Sequence, residues 1–271
     1  MKAVQRIQSL NNPELKRLKR LQRVESGRKE FLIEGTHLLE EAVATAWPLC
    51  SIYYTDRWAQ ENLSLIHRTS QDTDKYVVDA SWIRHAVTTD NPDGVVGIGS
   101  LIGVNQTGQS DELSSDISDW SLVLAGDGIQ DPGNAGTLLR TLVGLGGNRL
   151  YLSPDSVSPV HPKFLRSTAG QWFRRPPRVT SMRDLAKHAI RIGVQVLVAD
   201  MGGESIADID LRKPTVFLLG SEGRGVSPEI KKVAERVCGI PMAVGVESFN
   251  VATTGAILLY EAQRQRFSQK S

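Results

Sequence analysis

The chain has 271 residues, 40% of them hydrophobic and 23% charged, with a formal net charge of +2. That length holds one large domain or two modest ones, each able to bury a core, and the composition is that of a soluble globular protein. No apolar run is long enough to span a membrane, and the basic start MKAVQRIQSLNNPELKRLKR lacks the apolar core of a secretory signal. Two distant cysteines, Cys50 and Cys238, argue against a disulfide framework and a zinc site and favour a reducing cytoplasm.

In chain order, the first half predicts a basic helix from about Pro13 to Val24 and a strand at Glu30–Ile33. A helix over Thr36–Thr45, a strand at Ser51–Tyr54, a helical stretch at Trp58–His67 and a strand at Tyr76–Val78 follow. A short helix at Ser81–Ala86 then leads to the apolar run Val95–Ile102. The polar stretch NQTGQSDELSSDISD, Asn105–Asp119, reads as a linker. The expected division is therefore 1–104, a small α/β domain, a linker at 105–119, and 120–271, a second domain.

In the second half the alternation is cleaner. Strands are expected at Leu122–Ala125, Leu150–Leu152, Val194–Ala199, Val216–Leu219 and Val237–Ile240. Helices are expected through Leu138–Leu145, near Lys163–Thr168, and at Met182–Ile192, Pro228–Glu235 and Val251–Arg264. Apolar runs of this length between helices point to a buried parallel sheet, hence an α/β fold class for the C-terminal domain.

Cations cluster in two places. Lys2, Arg6, Lys16, Arg17, Lys19, Arg20, Arg23, Arg28 and Lys29 face only Glu14 and Glu25 in the first segment, and Lys163, Arg166, Arg174, Arg175 and Arg178 lie in the second half. Such groups suit a nucleic-acid backbone or form solvated faces; two of them in a nearly neutral chain tilt toward nucleic acid.

Ligands of open parallel sheets bind beyond the carboxyl ends of the strands. Three polar, glycine-containing loops each follow an apolar strand: Gly126–Thr141, Gly220–Glu229 and Pro241–Asn250. They should gather at one edge. Familiar nucleotide sites fail here: Asn134 and Ala135 replace the Lys and Ser/Thr of a P-loop, and Arg149 and Pro228 stand where a dinucleotide fingerprint needs glycine. A nucleophile elbow fails as well, since Ser221 directly follows Gly220. Histidines 37, 67, 85, 161 and 188 show no metal-ligand spacing, so no metal is expected.

The segments Asp131–Thr141, Leu219–Val226 and Ile240–Met242 with Glu247–Val251 and Leu258–Glu261 resemble, in order, the three motifs of the SpoU/TrmH family of RNA ribose methyltransferases. Phe31–Gly35 and Gly94–Ile98 are similar to the family's accessory domain, a fold shared with RNA-binding ribosomal proteins. The resemblance implies a C-terminal parallel-sheet domain with a deep trefoil knot, a smaller N-terminal RNA-binding domain and a homodimer. It also implies S-adenosylmethionine as cofactor.

It assigns catalytic positions to Asn134, Arg140, Glu222, Ser248 and Asn250, and cofactor binding to Leu219, Gly220, Ile240, Met242, Ser248, Phe249 and Asn250. Several have a plainer alternative. Asn134 could cap a helix and Arg140 be a surface charge. Glu222 could be a helix N-terminal charge, Ile240 could be core, and Ser248 with Asn250 could cap the last helix. Phe249 departs from the leucine commoner there. Arginine does not act readily as a base, so Arg140 is better cast as a phosphate clamp that steadies the developing alkoxide. Arg28 and Lys29 are candidate RNA contacts or solvated charges.

The function implied is 2′-O-methylation of a ribose in structured RNA, with ribosomal RNA favoured over transfer RNA and no membrane or metal partner. The alternatives are a transfer-RNA ribose methyltransferase, a base methyltransferase, and a non-catalytic RNA-binding or ribosome-assembly protein.

Overall fold

The computed structural model describes residues 3–23, 27–102, 113–221 and 223–267. Glu222 and residues 105–112 of the expected linker lie outside the described residues, as do Lys2, Val24 and Glu25. By its internal contacts the chain forms two compact units, one of residues 1–104 with 158–174, the other of 105–157 with 175–271.

The first unit begins with β1 (Gln5–Ile7), α1 (Pro13–Leu21), β2 (Glu30–Glu34), α2 (Thr36–Ala44) and β3 (Leu49–Tyr54). It continues with α3 (Asp56–Glu61), α4 (Leu63–Arg68), β4 (Asp74–Val78), α5 (Ala80–Ala86) and β5 (Val95–Ser100). Its sheet runs β1-β4-β3-β5-β2, parallel across β1, β4 and β3 and antiparallel where β5 meets β3 and β2. The stretch expected as one helix over Trp58–His67 is two, because Asn62 returns its side-chain amide to the Trp58 carbonyl at 2.9 Å and ends α3. β1, which buries only Ile7, is too short to leave a period in the sequence.

The second half of the chain supplies β6 (Leu122–Asp127), α6 (Pro132–Gly144), β7 (Arg149–Leu152), α7 (Pro162–Ser167), α8 (Gln171–Arg174) and β8 (Arg178–Val179). After these come α9 (Met182–Arg191), β9 (Gln195–Ser205), β10 (Thr215–Gly220), α10 (Pro228–Lys231), β11 (Arg236–Gly239) and α11 (Val251–Phe267). Six parallel strands run β11-β9-β10-β6-β7-β8. One face of this sheet buries Val123, Ala125, Val196, Val198, Val216 and Leu218 with Leu185 and Ala189 of α9 and Ile230 of α10. On the other face α6 and α11 pack together, and Gly255 of α11 permits it: a β carbon there would stand 2.4 Å from Leu138.

Residues 158–174 return to the first unit and complete its core. Trp172 and Phe173 join Phe31 and Trp47 with ring centroids 4.8–6.4 Å apart. Arg166 pairs with the buried carboxylate of Glu34 and donates to Thr88 Oγ1 at 2.8 Å, and Arg174 pairs with Glu41. Two cations of the second basic group thus have carboxylate partners within the fold. Burial pushes the Glu34 carboxyl up from its ordinary range, and Arg166 and Thr88 pull it back.

Strand β9 differs most from expectation. It runs well past Ala199, through what reads as a glycine-rich loop, and β11 pairs with it in two registers: Arg236 and Val237 against Leu197 and Val198, then Cys238 and Gly239 against Glu204 and Ser205. Residues 199–202 bow out of the ladder. Gly203 makes the crossing sterically feasible, since a β carbon there would lie 2.6 Å from the Cys238 carbonyl carbon.

Candidate active site

The parallel register aligns the carboxyl ends of the strands that feed the three loops, with Gly220 of β10 opposite Asp127 of β6. Short bonds hold the loops together there. Asp127 Oδ2 accepts from the Ser227 amide at 3.1 Å, which ties the first loop to the second. The second loop folds back on itself, Gly225 N to Ser221 O at 2.8 Å. Gly220 is obligatory at this fold: a β carbon on it would fall 1.9 Å from the Gly225 carbonyl carbon.

Beneath the first loop, Ser153 Oγ accepts from Gly128 N at 2.8 Å and donates to Asp155 Oδ1 at 2.6 Å, while Ser156 Oγ accepts from Ile129 N at 3.0 Å. With Ser153 buried and Ser156 half-buried, this network fixes the loop more firmly than its sequence suggests.

Asp131, not Asn134, caps α6, accepting from the Asn134 amide at 2.8 Å. The Asn134 side chain is thereby left to Asn250, whose Nδ2 donates to Asn134 Oδ1 at 3.0 Å. Asn250 does two things at once, because its Oδ1 accepts from Ala252 N at 2.9 Å and Thr253 N at 3.3 Å at the start of α11. The first and third motifs therefore meet through one amide–amide bond. Arg140 lies on α6 six residues beyond Asn134 with its side chain exposed.

A cleft of about 780 Å³, open to solvent, lies where β9, β10 and β11 end. Leu219, Gly220, Ile240, Met242, Ser248 and Phe249 line it, as do Ser221, Cys238, Val251, Thr254 and Leu258. Six of the seven residues expected at the cofactor are in that lining; Asn250 stands beside it, on Asn134. The bowed residues Ala199, Asp200, Met201 and Gly202 add a fourth wall. The same reasoning that gathered three loops reaches this one, since it too follows an apolar parallel strand. Val251, Thr254 and Leu258 share a face of α11 by their spacing of three and four, a second signal present in the sequence.

The floor is built from buried side chains: Leu219 is 2% exposed, and Cys238 and Leu258 are fully buried. Burial pushes the Cys238 thiol up to about 12, so it lines the cleft as a neutral group and not as a nucleophile. Asp200 is held by Lys231. The lining residues Met201 and Phe249, and Val244 and Val246 of the third loop, present large apolar surface to solvent.

The N-terminal candidates divide. Arg28 donates to the carbonyls of Arg20 and, at 2.8 Å, Arg23, capping the end of α1, whereas the Lys29 side chain is exposed.

A parallel α/β sheet with a cleft at its carboxyl edge, lined by apolar side chains together with Ser221, Ser248, Thr254 and Asp200, has the form of a ligand-binding site. The sequence profile of the SpoU rRNA methylase family matches residues 121–260, and that of the MRM3-like substrate binding domain matches residues 12–97. The chain is 34% identical over 268 residues to an uncharacterized tRNA/rRNA methyltransferase of Synechocystis, covering 97% of this chain and 94% of the relative. It is 27% identical to a 23S rRNA uridine 2′-O-methyltransferase of Streptomyces viridochromogenes, covering 89% and 85%. A crystal structure of an AdoMet-bound rRNA methyltransferase from Sinorhizobium meliloti superposes with a TM-score of 0.81 at 27% identity, covering 96% and 98%. The chain belongs to the SpoU rRNA methylase family.

Proposed function

We propose that the protein transfers a methyl group from S-adenosylmethionine to a ribose 2′-hydroxyl of ribosomal RNA. The observation that carries this is the single cleft-and-bond arrangement in which six expected cofactor residues line one cavity while Asn250 joins Asn134 beside it. The lining fits the cofactor: Leu219, Ile240, Phe249 and Leu258 offer apolar contact to an adenine, and Ser221 and Ser248 offer hydroxyls to its polar parts.

When bound, the sulfonium supplies an electrophilic methyl group, and the chain's task is placement. The floor excludes water. The Asn134–Asn250 bond fixes the mouth, and exposed Arg140 supplies a guanidinium fork for the target phosphate and for charge developing on the 2′-oxygen. Support for ribosomal over transfer RNA comes from the family description and the 23S rRNA relative. The first unit, matched by the substrate-binding profile, is read as the part that grips RNA, with Lys29 on its surface.

The exposed apolar surface of Val244, Val246, Met201 and Phe249 supports a homodimer that covers it. The close crossing at Gly203 and the sharp return at Gly220 accord with a trefoil knot in the second unit. Titration calorimetry with S-adenosylmethionine, followed by nucleoside analysis of rRNA after incubation with labelled cofactor, tests the reading. Micromolar binding and 2′-O-methylated nucleosides are expected. No heat, or label on a base, overturns it.

A further inference from the structure

Several arginines of the chain are held by acidic partners. Arg6 pairs with Asp56, Arg17 with Glu14 and Glu30, Arg166 with Glu34, Arg174 with Glu41, Arg236 with Glu204 and Arg264 with Glu261. Three arginines where β7 and β8 begin are instead gathered with one another, two of them partly buried. Arg149 opens β7 and Arg178 opens β8, with Arg175 just before it. Tyr151 and Arg178 are partners in the parallel register. Strand alternation then places Arg149, Tyr151 and Arg178 on one face. Arg149 and Arg178 are half-buried, Arg175 is exposed, and none of the three forms an ion pair with a described residue. The Arg178 Nε is buried without a hydrogen-bond partner.

Such an arrangement is costly by itself. Burial, and then the neighbouring cations of Arg178 and Arg175, hold the Arg149 guanidinium below the usual arginine range. Burial pushes the Tyr151 phenol up, so it remains neutral and offers no compensating charge. Asp119 acts on Arg149 in the opposite sense, but its exposed carboxylate already accepts from Ser114 Oγ at 2.6 Å. Like charges gathered without counter-charge, one of them with an unmet buried donor, fit an anion with several oxygens.

We propose that Arg149, Arg175 and Arg178 form a phosphate site for the backbone of the RNA substrate. This rests on RNA being the substrate. In strand order the site lies on the β7–β8 edge of the sheet, away from the β9–β11 edge that forms the cofactor cleft. It therefore positions RNA without touching the reacting atoms.

The test uses the full-length protein and a structured rRNA transcript as probe, with affinity measured across a salt series. Arg149→Gln, Arg178→Gln and the exposed Arg175→Gln are compared with Lys213→Gln, a surface cation elsewhere on the unit. Each arginine variant is expected to weaken RNA binding several-fold and lower the salt slope by about one, while Lys213→Gln changes neither. S-adenosylmethionine affinity should be unchanged throughout. Inorganic phosphate at millimolar concentration should compete with RNA on the parent and not on the triple variant.

Unaltered affinity and slope in folded arginine variants overturn the proposal, as does an equal effect from Lys213→Gln. Should Arg149→Gln fail to fold, Arg175→Gln alone decides, because its side chain is exposed. Loss of RNA affinity in a protein that binds no S-adenosylmethionine would sink the methyltransferase reading and leave this site standing; intact methylation with unaffected variants would do the reverse.

Discussion

The floor and the rim of the cleft are built on opposite principles. Leu219, Cys238 and Leu258 sit at buried strand ends and on a packed helix face, held by the sheet itself. Residues 241–250 carry no regular structure and, Met242 apart, are exposed, fastened to the rest through Asn250. The floor is thus part of the fold's stability, whereas the rim can change with little cost to folding. Substitutions in the floor should damage stability and cofactor binding together, and substitutions at the rim should damage function alone.

The hardest blow to the floor is Gly220→Ala. With a β carbon 1.9 Å from the Gly225 backbone, the second loop must reopen, and a loss of more than about 2 kcal/mol in denaturant unfolding is expected, with S-adenosylmethionine binding abolished. Retained binding would mean that the loop is less fixed than its close approach implies. Arg140→Ala strikes the exposed side. Methyl transfer should fall at least about 10²-fold while calorimetric cofactor affinity and melting temperature stay near the parent's. Equal loss of both would remove the phosphate-clamp role.

Asn134→Ala breaks the side-chain bond from Asn250 that joins the third loop to the first. Roughly tenfold slower transfer is expected, with a stability change within about 1 kcal/mol because Asp131 still caps α6. Cys238 gives the floor a pH signature. Its folded thiol titrates near 12 against an ordinary value near 8.5, so its contribution is complete below about pH 8.5. It is lost at up to about 1.4 kcal/mol per pH unit as the unfolded thiol ionises above that pH and until the folded one follows. Cys238→Ala should flatten the alkaline limb of the stability profile; an unchanged limb would assign the loss elsewhere, for example to the buried tyrosines. Smallest of all, Phe249→Leu at the rim should alter cofactor affinity by less than about threefold and leave stability untouched.

Residues and spacing made the alternation of strands and helices visible, together with the parallel sheet of the second half and the edge where the loops gather. These rest on periodicity and on a topological rule, both local enough to read from one chain. Three things were not legible. Nothing in Ala199–Gly203 shows that a strand will bow and be bridged across by β11, because that depends on a partner more than thirty residues later. Asn62 breaking a helix in two is a side-chain choice that Asn makes in some contexts and not in others. The pairing of Arg166 and Arg174 with Glu34 and Glu41, across more than a hundred residues, makes them structural where their clustering suggested nucleic acid. Within the site, the roles of Asn134 and Arg140 came from family resemblance; the spacing alone suited an ordinary helix start equally well.

The return of residues 158–174 bears on how such enzymes can be recombined. Trp172 and Phe173, 1% and 2% exposed, complete the aromatic core of the first unit although they are encoded within the catalytic half. A chimera joined only at the polar stretch after β5 would leave Phe31 and Trp47 facing an unmatched surface and Glu34 without its cation. To give this catalytic half a new N-terminal unit, a designer would have to transplant two pieces of sequence, and a lineage exchanging modules by simple fusion would have met the same obstacle.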